Sequence, residues 1–382
     1  MRILIAHAFY RVPGGEDGYV RQQAELLGRD HTVELFAVRN EDLSGPGAAA
    51  GGMLRTKPRA RELEGVVQGF RPDVIHVHNV YPSLGAAPFR VGERNRVPLV
   101  LTVHNHRLRC PNGYRFTEGR VCDRCIGGNH LHAIAHDCFP TKAQSVVYAT
   151  ALWLDRFVRR VESKVALFIA PSEYMAGWLR GSGIAEDRVA VVRNFTAARP
   201  AQVAREDHGV YAGRLSNEKG LDVLLRALKH AGDPPFHVLG DGPLRAGLED
   251  LAAELGLKQV AFHGHVERAE VDRMLGGARY FVMPSLSDEN APLAVMEAMA
   301  AGVPAVVTRR GGLPELDQLV VGSGDAVELG DAISRLRSDD ALREEVAMRA
   351  RRFATDHLGA ERHLEALESA YRSALGAGAG TP

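Results

Sequence analysis

The chain has 382 residues, of which 45% are hydrophobic and 25% charged. That is the size of two ordinary domains and the composition of a packed globular protein, so collagenous, coiled-coil and disordered readings fall away. Lys plus Arg and Asp plus Glu both total 47, for a formal net charge of zero, which argues against a nucleic-acid binder working by bulk phosphate attraction. The zero hides a split: residues 1–195 carry 26 basic against 19 acidic side chains and residues 196–382 carry 21 against 28, so the halves are +7 and −7.

Short apolar runs at residues 3–6, 33–36, 74–77, 99–103 and 167–170 read as strands, separated by helical patterns such as 18–27 and 62–70. That alternation predicts βαβ units with right-handed crossovers and a parallel sheet. A second series starts at 210–212 and continues through 221–228, 235–239, 244–255, 260–263, 271–275, 280–283, a helix through 297–301, and 304–308. Residues 192–201 read as a linker, and after Asp331 the chain is helical and charged to about Leu375, followed by a Gly/Ala tail. The expected architecture is therefore α/β, two doubly wound domains facing a cleft, with ligands at the carboxyl ends of the strands. The domains are placed at 1–195, with an insert at 105–140, and at 196–355, and the C-terminal helix and tail 356–382 return to the first domain.

Anion chemistry concentrates in the acidic half. In Gly213-Arg214-Leu-Ser-Asn-Glu-Lys219-Gly220 an Arg and a Lys five positions apart flank a loop that enters a helix, so a bidentate fork and a point charge can meet one diphosphate. A solvent loop with two exposed cations is the plain alternative. Glu289 and Glu297 flank a second helix start, with Pro292 expected in the first turn. Carboxylates so placed accept hydrogen bonds from sugar hydroxyls.

Six motifs follow in order: Gly213-Arg-Leu-x-x-Glu-Lys-Gly, Leu239-Gly-Asp-Gly-Pro243, Phe262-His-Gly-His-Val266, Pro284-Ser, Glu289-x7-Glu297-Ala-Met-Ala-x-Gly-x-Pro304 and Gly311-Gly-Leu-Pro-Glu315. Together they resemble the donor domain of the family-4 retaining glycosyltransferases of the GT-B fold, built from two Rossmann-like domains. The likeness extends to the first half through Gly14-Gly15-Glu16, Asp73-Val-Ile-His-Val-His78 and Thr102-Val-His104. It implies that Arg214 and Lys219 bind the donor's diphosphate and stabilise the charge that grows on it, with no metal required for catalysis. Glu289 would hold hydroxyls of the transferred sugar and Glu297 the ribose. Amides around Ala291, Pro292 and Leu293 would complete the diphosphate cradle, and residues 263–266, with His265 and Val266, would border the base. His104 matches the family's histidine beside the transferred sugar, although a packed structural histidine is the alternative. Gly14 and Gly15 match a loop where a missing Cβ lets backbone approach the diphosphate. The implied donor is a nucleoside diphosphate sugar, UDP by family habit, and the acceptor a small molecule or lipid-linked compound in polysaccharide, glycolipid or secondary-metabolite synthesis.

All four cysteines fall in one stretch, Cys110, Cys122, Cys125 and Cys138, spaced C-x11-C-x2-C-x12-C. That pattern fits a structural zinc site, with free thiols or disulfides as alternatives. Between residues 90 and 124 stand eight arginines against three acids, and the helical pattern 144–161 carries Trp153, Phe157 and three more arginines. This basic face can rest on an anionic membrane or hold an anionic acceptor, or it can be an ordinary solvated helix. No apolar run approaches the length of a membrane span or a signal-peptide core, so the expected location is the cytoplasm, with contact at the inner membrane face. A dinucleotide dehydrogenase is excluded because Phe9-Tyr-Arg-Val-Pro-Gly-Gly-Glu stands where Gly-x-Gly-x-x-Gly would be. A sugar-nucleotide epimerase on the same fold and a non-catalytic sugar-nucleotide-binding regulator remain as alternatives. After Glu315 the stretch to Asp331 is shorter than in most of the family.

Overall fold

A computed structural model describes residues 1–11, 14–40, 46–196 and 204–378. The chain divides into two compact units, one formed by residues 1–117, 122–192 and 361–382, the other by 193–360 with the short segment 118–121 grouped to it.

In the first unit β1 (Arg2–Phe9), β2 (Thr32–Arg39), β3 (Val74–Val77), β4 (Leu99–Thr102), β5 (Leu167–Ala170) and β6 (Val189–Val191) form one sheet in the order β2-β1-β3-β4-β5-β6. Every pairing is parallel. Strands β3, β4 and β5 are buried at every position, the pattern of a parallel sheet covered on both faces by its crossovers, and the reason they read as unbroken apolar runs. Around the sheet lie α1 (Gly15–Leu27), α2 (Pro46–Leu54), α3 (Lys57–Phe70), α4 (Ala87–Asn95), α5 (Lys142–Trp153) and α6 (Glu173–Gly181). Helix α5 starts where the Thr141 hydroxyl accepts from Gln144 N, a cap worth about 1 kcal/mol. It passes at Leu154–Val158 into a π-helical turn instead of running unbroken to Val161 as the sequence pattern suggests.

In the second unit β7 (Gly209–Ala212), α7 (Leu221–His230), β8 (Phe236–Leu239), α8 (Arg245–Glu254), β9 (Val260–Gly264), α9 (Arg268–Gly277), β10 (Tyr280–Met283), α10 (Leu293–Ala300), β11 (Ala305–Thr308), β12 (Leu319–Val321), α11 (Ala326–Ser338) and α12 (Asp340–His357) follow in chain order. Their parallel sheet runs β9-β8-β7-β10-β11-β12. The order reverses between β7 and β10, and the carboxyl ends of strands at such a switch point are the usual ligand position in these sheets.

Helix α13 (Ala360–Gly378) brings the chain back to the first unit. There Tyr371 Oη meets His76 Nδ1 at 2.7 Å and His363 Nε2 lies 3.0 Å from Gln23 Nε2.

Several boundaries differ from the sequence reading. The first unit ends at Val192 and the second runs to Ala360; Asn194 and Phe195 are buried and so belong to a folded unit, not to a linker. The rest of the expected linker, residues 197–201, and the end of the tail, 379–382, lie outside the described residues. The compressed stretch after Glu315 holds strand β12 and the start of α11, and β6 and helix α4 are too short to stand out by periodicity.

Candidate functional site

The crevice of the second unit is assembled by two loops. The loop after β7 carries Arg214, Ser216, Glu218 and Lys219; the loop after β10 carries Ser285 and Glu289. They are laced through backbone bonds, with Leu286 N donating to Glu218 O at 2.9 Å and Ser287 N to the same oxygen at 3.2 Å. Gly220 has φ of +67°, and a Cβ there would sit 2.3 Å from Pro284 O, so glycine is required both for the turn and for the approach of the loops. A third loop, after β11, locks Glu289 from behind: Gly312 N donates to Glu289 O at 2.7 Å, and Gly311 has φ of +56° with no room for a Cβ against that same carbonyl.

Arg214 and Lys219 each meet a carboxylate. Lys219 Nζ lies 2.6 Å from Glu289 Oε1, an oxygen to which the Ser285 hydroxyl also donates. Arg214 Nη2 lies 2.6 Å from Glu218 Oε1, and its Nε donates to Ser216 Oγ at 3.2 Å. Burial alone would raise the Glu218 carboxyl pKa, but the Ser216 hydroxyl and the Arg214 guanidinium hold it below its ordinary value. Glu218 is therefore an anion that aims the half-exposed Arg214. The sequence reading gave it no role, although it sits inside the motif that carries Arg214 and Lys219.

Glu289 is thus brought to Lys219. Glu297, on α10, is instead held by Arg268, and burial, opposed by that guanidinium, raises its pKa. Arg268 lies 29 positions away and no local pattern pointed to it. Pro292 is the N-cap and not a first-turn residue: it keeps extended backbone, and α10 begins at Leu293, so the cradle expected from Ala291, Pro292 and Leu293 is a helix entry one residue later. His265 and Val266 follow β9 at the edge of the sheet; His265 is exposed and Val266 half-buried.

In the first unit, the residues after β1, β3 and β4 gather in the same way. His104 Nε2 and His78 Nδ1 share a hydrogen bond of 2.8 Å, and the Tyr19 ring meets His104 edge-on at 5.7 Å between centroids. Burial lowers the His104 pKa, with the Glu16 carboxylate opposing and His7 reinforcing, and His78 is lowered well below the ordinary range chiefly by burial. Both rings are neutral at working pH, so His104 can accept or donate one hydrogen bond but brings no charge. Glu16 accepts from Tyr10 Oη at 3.0 Å, and Asp17 pairs with His7 at 2.9 Å. Gly14 and Gly15 stand at the start of α1; Gly14 has φ of −127° and nothing within 4 Å of its Cβ position, so packing within the protein does not demand glycine there. Residues 12 and 13 of this loop lie outside the described residues.

Cys110, Cys122, Cys125 and Cys138 converge on one small cavity that His132 and His136 also line, and all four are free thiols. They do not form a ready-made cage: among the described residues, no group of three or more His, Cys, Asp or Glu side chains is disposed to hold a metal ion. Cys110 Sγ bonds Asn112 Oδ1 at 3.0 Å and Cys138 bonds the Thr117 side chain. The Cys125 thiol is pushed up to about 12 by burial and by the other three sulfurs.

Family models match nearly the whole chain: Glycosyltransferase Family 4 over residues 13–197 and Glycosyl transferases group 1 over residues 198–353. The chain belongs to the family-4 glycosyltransferases of the GT-B type. Among curated relatives it is 39% identical over 188 residues to the lipopolysaccharide core biosynthesis glycosyltransferase LpsD of Rhizobium meliloti, a match covering 45% of this chain and 54% of that protein. It is 27% identical over 310 residues to the putative teichuronic acid biosynthesis glycosyltransferase TuaC of Bacillus subtilis, covering 78% and 72%. The fold matches sucrose-phosphate synthase of Thermosynechococcus elongatus with a TM-score of 0.73 at 18% identity, over 97% of this chain and 98% of that one. It also matches Anabaena HepE, solved in complex with UDP and glucose, with a TM-score of 0.68 at 19% identity over 97% and 99%.

Proposed function

We propose that this glycosyltransferase moves a sugar from a nucleoside diphosphate sugar, UDP-linked, to an acceptor hydroxyl with retention of anomeric configuration and without a catalytic metal. The reading is carried by the Lys219–Glu289 contact at the switch point of the second sheet. A cation there meets the leaving diphosphate while the adjoining carboxylate accepts hydroxyls of the sugar being released. Arg214, aimed by Glu218, supplies a second cation, and the entry of α10 supplies backbone amides and the positive end of a helix dipole. Charge growing on the leaving group is thus met by groups already in place, which is where electrostatic catalysis gains most. The UDP preference draws on HepE, whose complex contains UDP and glucose; a role in cell-surface polysaccharide synthesis draws on the names of LpsD and TuaC. A panel of nucleoside diphosphate sugars, assayed for donor loss and for product anomer with and without chelator, tests each part. Consumption of none of them would sink the reading, and release of an epimerised sugar nucleotide without transfer would replace it.

The acceptor side is proposed to touch an anionic membrane. Among the described residues no helix is long and apolar enough to cross a bilayer, but α5 and its π-helical turn expose Val146, Trp153, Phe157 and Val158 at helical spacing, beside the exposed Lys142 and Arg160. Aromatic and aliphatic side chains next to cations suit a headgroup layer. Flotation with phosphatidylglycerol vesicles, lost in Trp153→Glu and absent with phosphatidylcholine, is the expected result. For the cysteine loop the proposal is a structural zinc ion on which the four thiols close, supported by their convergence on one cavity. Purified protein with four titratable thiols and no bound metal would overturn it.

A further inference from the structure

Three histidines cross three adjacent strands of the second sheet. His208 precedes β7, His237 lies in β8, and His263 stands near the end of β9, the strand at the sheet edge. The register sets His237 opposite Ala261 and then breaks: Val238 pairs with Phe262 and Leu239 with Gly264, so His263 is the extra residue of a β-bulge. Gly264, with φ of +70°, and a bond from Gly240 N to Gly264 O at 2.8 Å hold the bulge in place. Bulges re-aim side chains, and here the exposed His263 presents Nε2 to His237 Nδ1 at 2.8 Å.

Behind this pair the third histidine acts as a support. The His208 ring meets His237 edge-on at 4.8 Å between centroids, and its own nitrogens are engaged, Nδ1 3.4 Å from Glu206 Oε2 and Nε2 3.3 Å from Met274 O. The carboxylates of the neighbouring helix α9 are also taken, Glu270 by Arg273 and Asp272 by Arg268. Burial, reinforced by His208 and His263, lowers the His237 pKa, so that ring is neutral at working pH. Two imidazoles that meet nitrogen to nitrogen share one proton, and a metal ion is the other bridge they can accept. With metal–nitrogen bonds of about 2.0–2.1 Å, two ligands at a right angle stand about 2.9 Å apart and two at a tetrahedral angle about 3.3 Å. The observed 2.8 Å fits the right angle, the tetragonal geometry of copper(II) and nickel(II). Moving the bonding proton to the far nitrogen of its own ring frees both lone pairs with no change of charge.

We propose that His237 and His263 form a two-ligand site for a divalent transition metal of the copper(II) and nickel(II) kind, bound in cis, with water completing its shell and β9 stapled to β8. With two protein ligands it differs from the sets of three or more that the described residues lack. It rests on no part of the glycosyltransferase reading. The test uses the full-length protein and two probes. Nickel(II) chloride is titrated calorimetrically into the parent, His237→Asn, His263→Asn and a control, His265→Asn, which removes a neighbouring exposed histidine outside the pair. One equivalent should bind at least tenfold more weakly in the first two variants and as in the parent in the control. Copper(II) iminodiacetate, which leaves cis positions open, is then followed by electron paramagnetic resonance, and the parent should show two imidazole nitrogens on copper while each of the first two variants shows one at most. That spectrum also separates the site from the cysteines, because thiolate ligands give no nitrogen coupling. Circular dichroism confirms that the variants are folded, and the parent spectrum tests the site without any variant. Nickel binding unchanged in both folded variants, binding lost equally in the control, or a parent spectrum without two nitrogens would each overturn the site.

Discussion

Lys219 Nζ and Glu289 Oε1 lie 2.6 Å apart, although the residues are separated by 70 positions. The contact joins the loops of two strands adjacent in the sheet but distant in the chain. If Lys219 stabilises the departing diphosphate, Lys219→Ala should lower kcat by about 10²–10³, the loss seen when one preorganised charge-stabilising donor is removed. Donor KM should change far less. The measurement is steady-state turnover of the preferred nucleotide sugar by a variant whose melting temperature is near that of the parent; a folded variant with parental kcat would remove Lys219 from the mechanism.

Glu218 offers a separate check. Because it aims Arg214 and touches no ligand in this reading, Glu218→Gln should weaken donor binding a few-fold, while Arg214→Ala weakens it more. In the double variant the Glu218 change should add little, since coupled residues are not additive. Full additivity of the two losses, measured by nucleotide titration, would show that Glu218 acts independently.

The buried histidines predict an acid-sensitive first unit. Burial, with His104 and His363 reinforcing, lowers His76 to about 3, while in the unfolded chain it titrates near about 6.5. Folding therefore favours the neutral ring. Its stabilising contribution is complete above the unfolded value and is lost as pH falls from there toward the folded one, at on the order of 1 kcal/mol per pH unit. Thermal melts should show a falling transition temperature from pH 7 to pH 5, and His76→Gln should flatten that slope whatever it does to the absolute value.

Tyr371 is fully buried and its hydroxyl meets His76 Nδ1. Tyr371→Phe keeps the ring but strands that nitrogen, so it should cost about 1–3 kcal/mol in denaturant unfolding. Deleting residues 361–382 would also remove the His363 contact with Gln23 and the Glu368 contact with His31 and should cost more.

Arg109 is buried against Glu162, with Nη2 and Oε2 2.8 Å apart. Glu162→Ala should destabilise by about 3–5 kcal/mol, because an uncompensated buried charge remains. Replacing both partners with methionine should cost much less. Chemical denaturation of the three variants separates the cost of stranding one charge from the net worth of the pair.

The strands could be placed from the sequence because a parallel sheet covered on both sides demands unbroken apolar runs, and 74–77, 167–170 and 280–283 stand in the structure at those limits. Arg268 and His78 were not assigned roles, since each acts through a partner from another element and such pairings leave no local pattern; Glu218 and Ser285 pair within their own loops, with Arg214 and Glu289 four positions away, but motif spacing does not say which side chain each will meet. The same holds for the cysteines, whose spacing announces a cluster but not whether the sulfurs close on a metal.

The sequence by itself determined the α/β character and the two-part organisation, because periodicity and motif order are properties of the chain. Tertiary structure alone decided that Lys219 meets Glu289 while Glu297 is held by Arg268, that α13 folds against His76, and that His78 and His104 share a hydrogen bond. Those are outcomes of strand order and loop convergence, which bring together side chains whose separation along the chain carries no information about their distance in space.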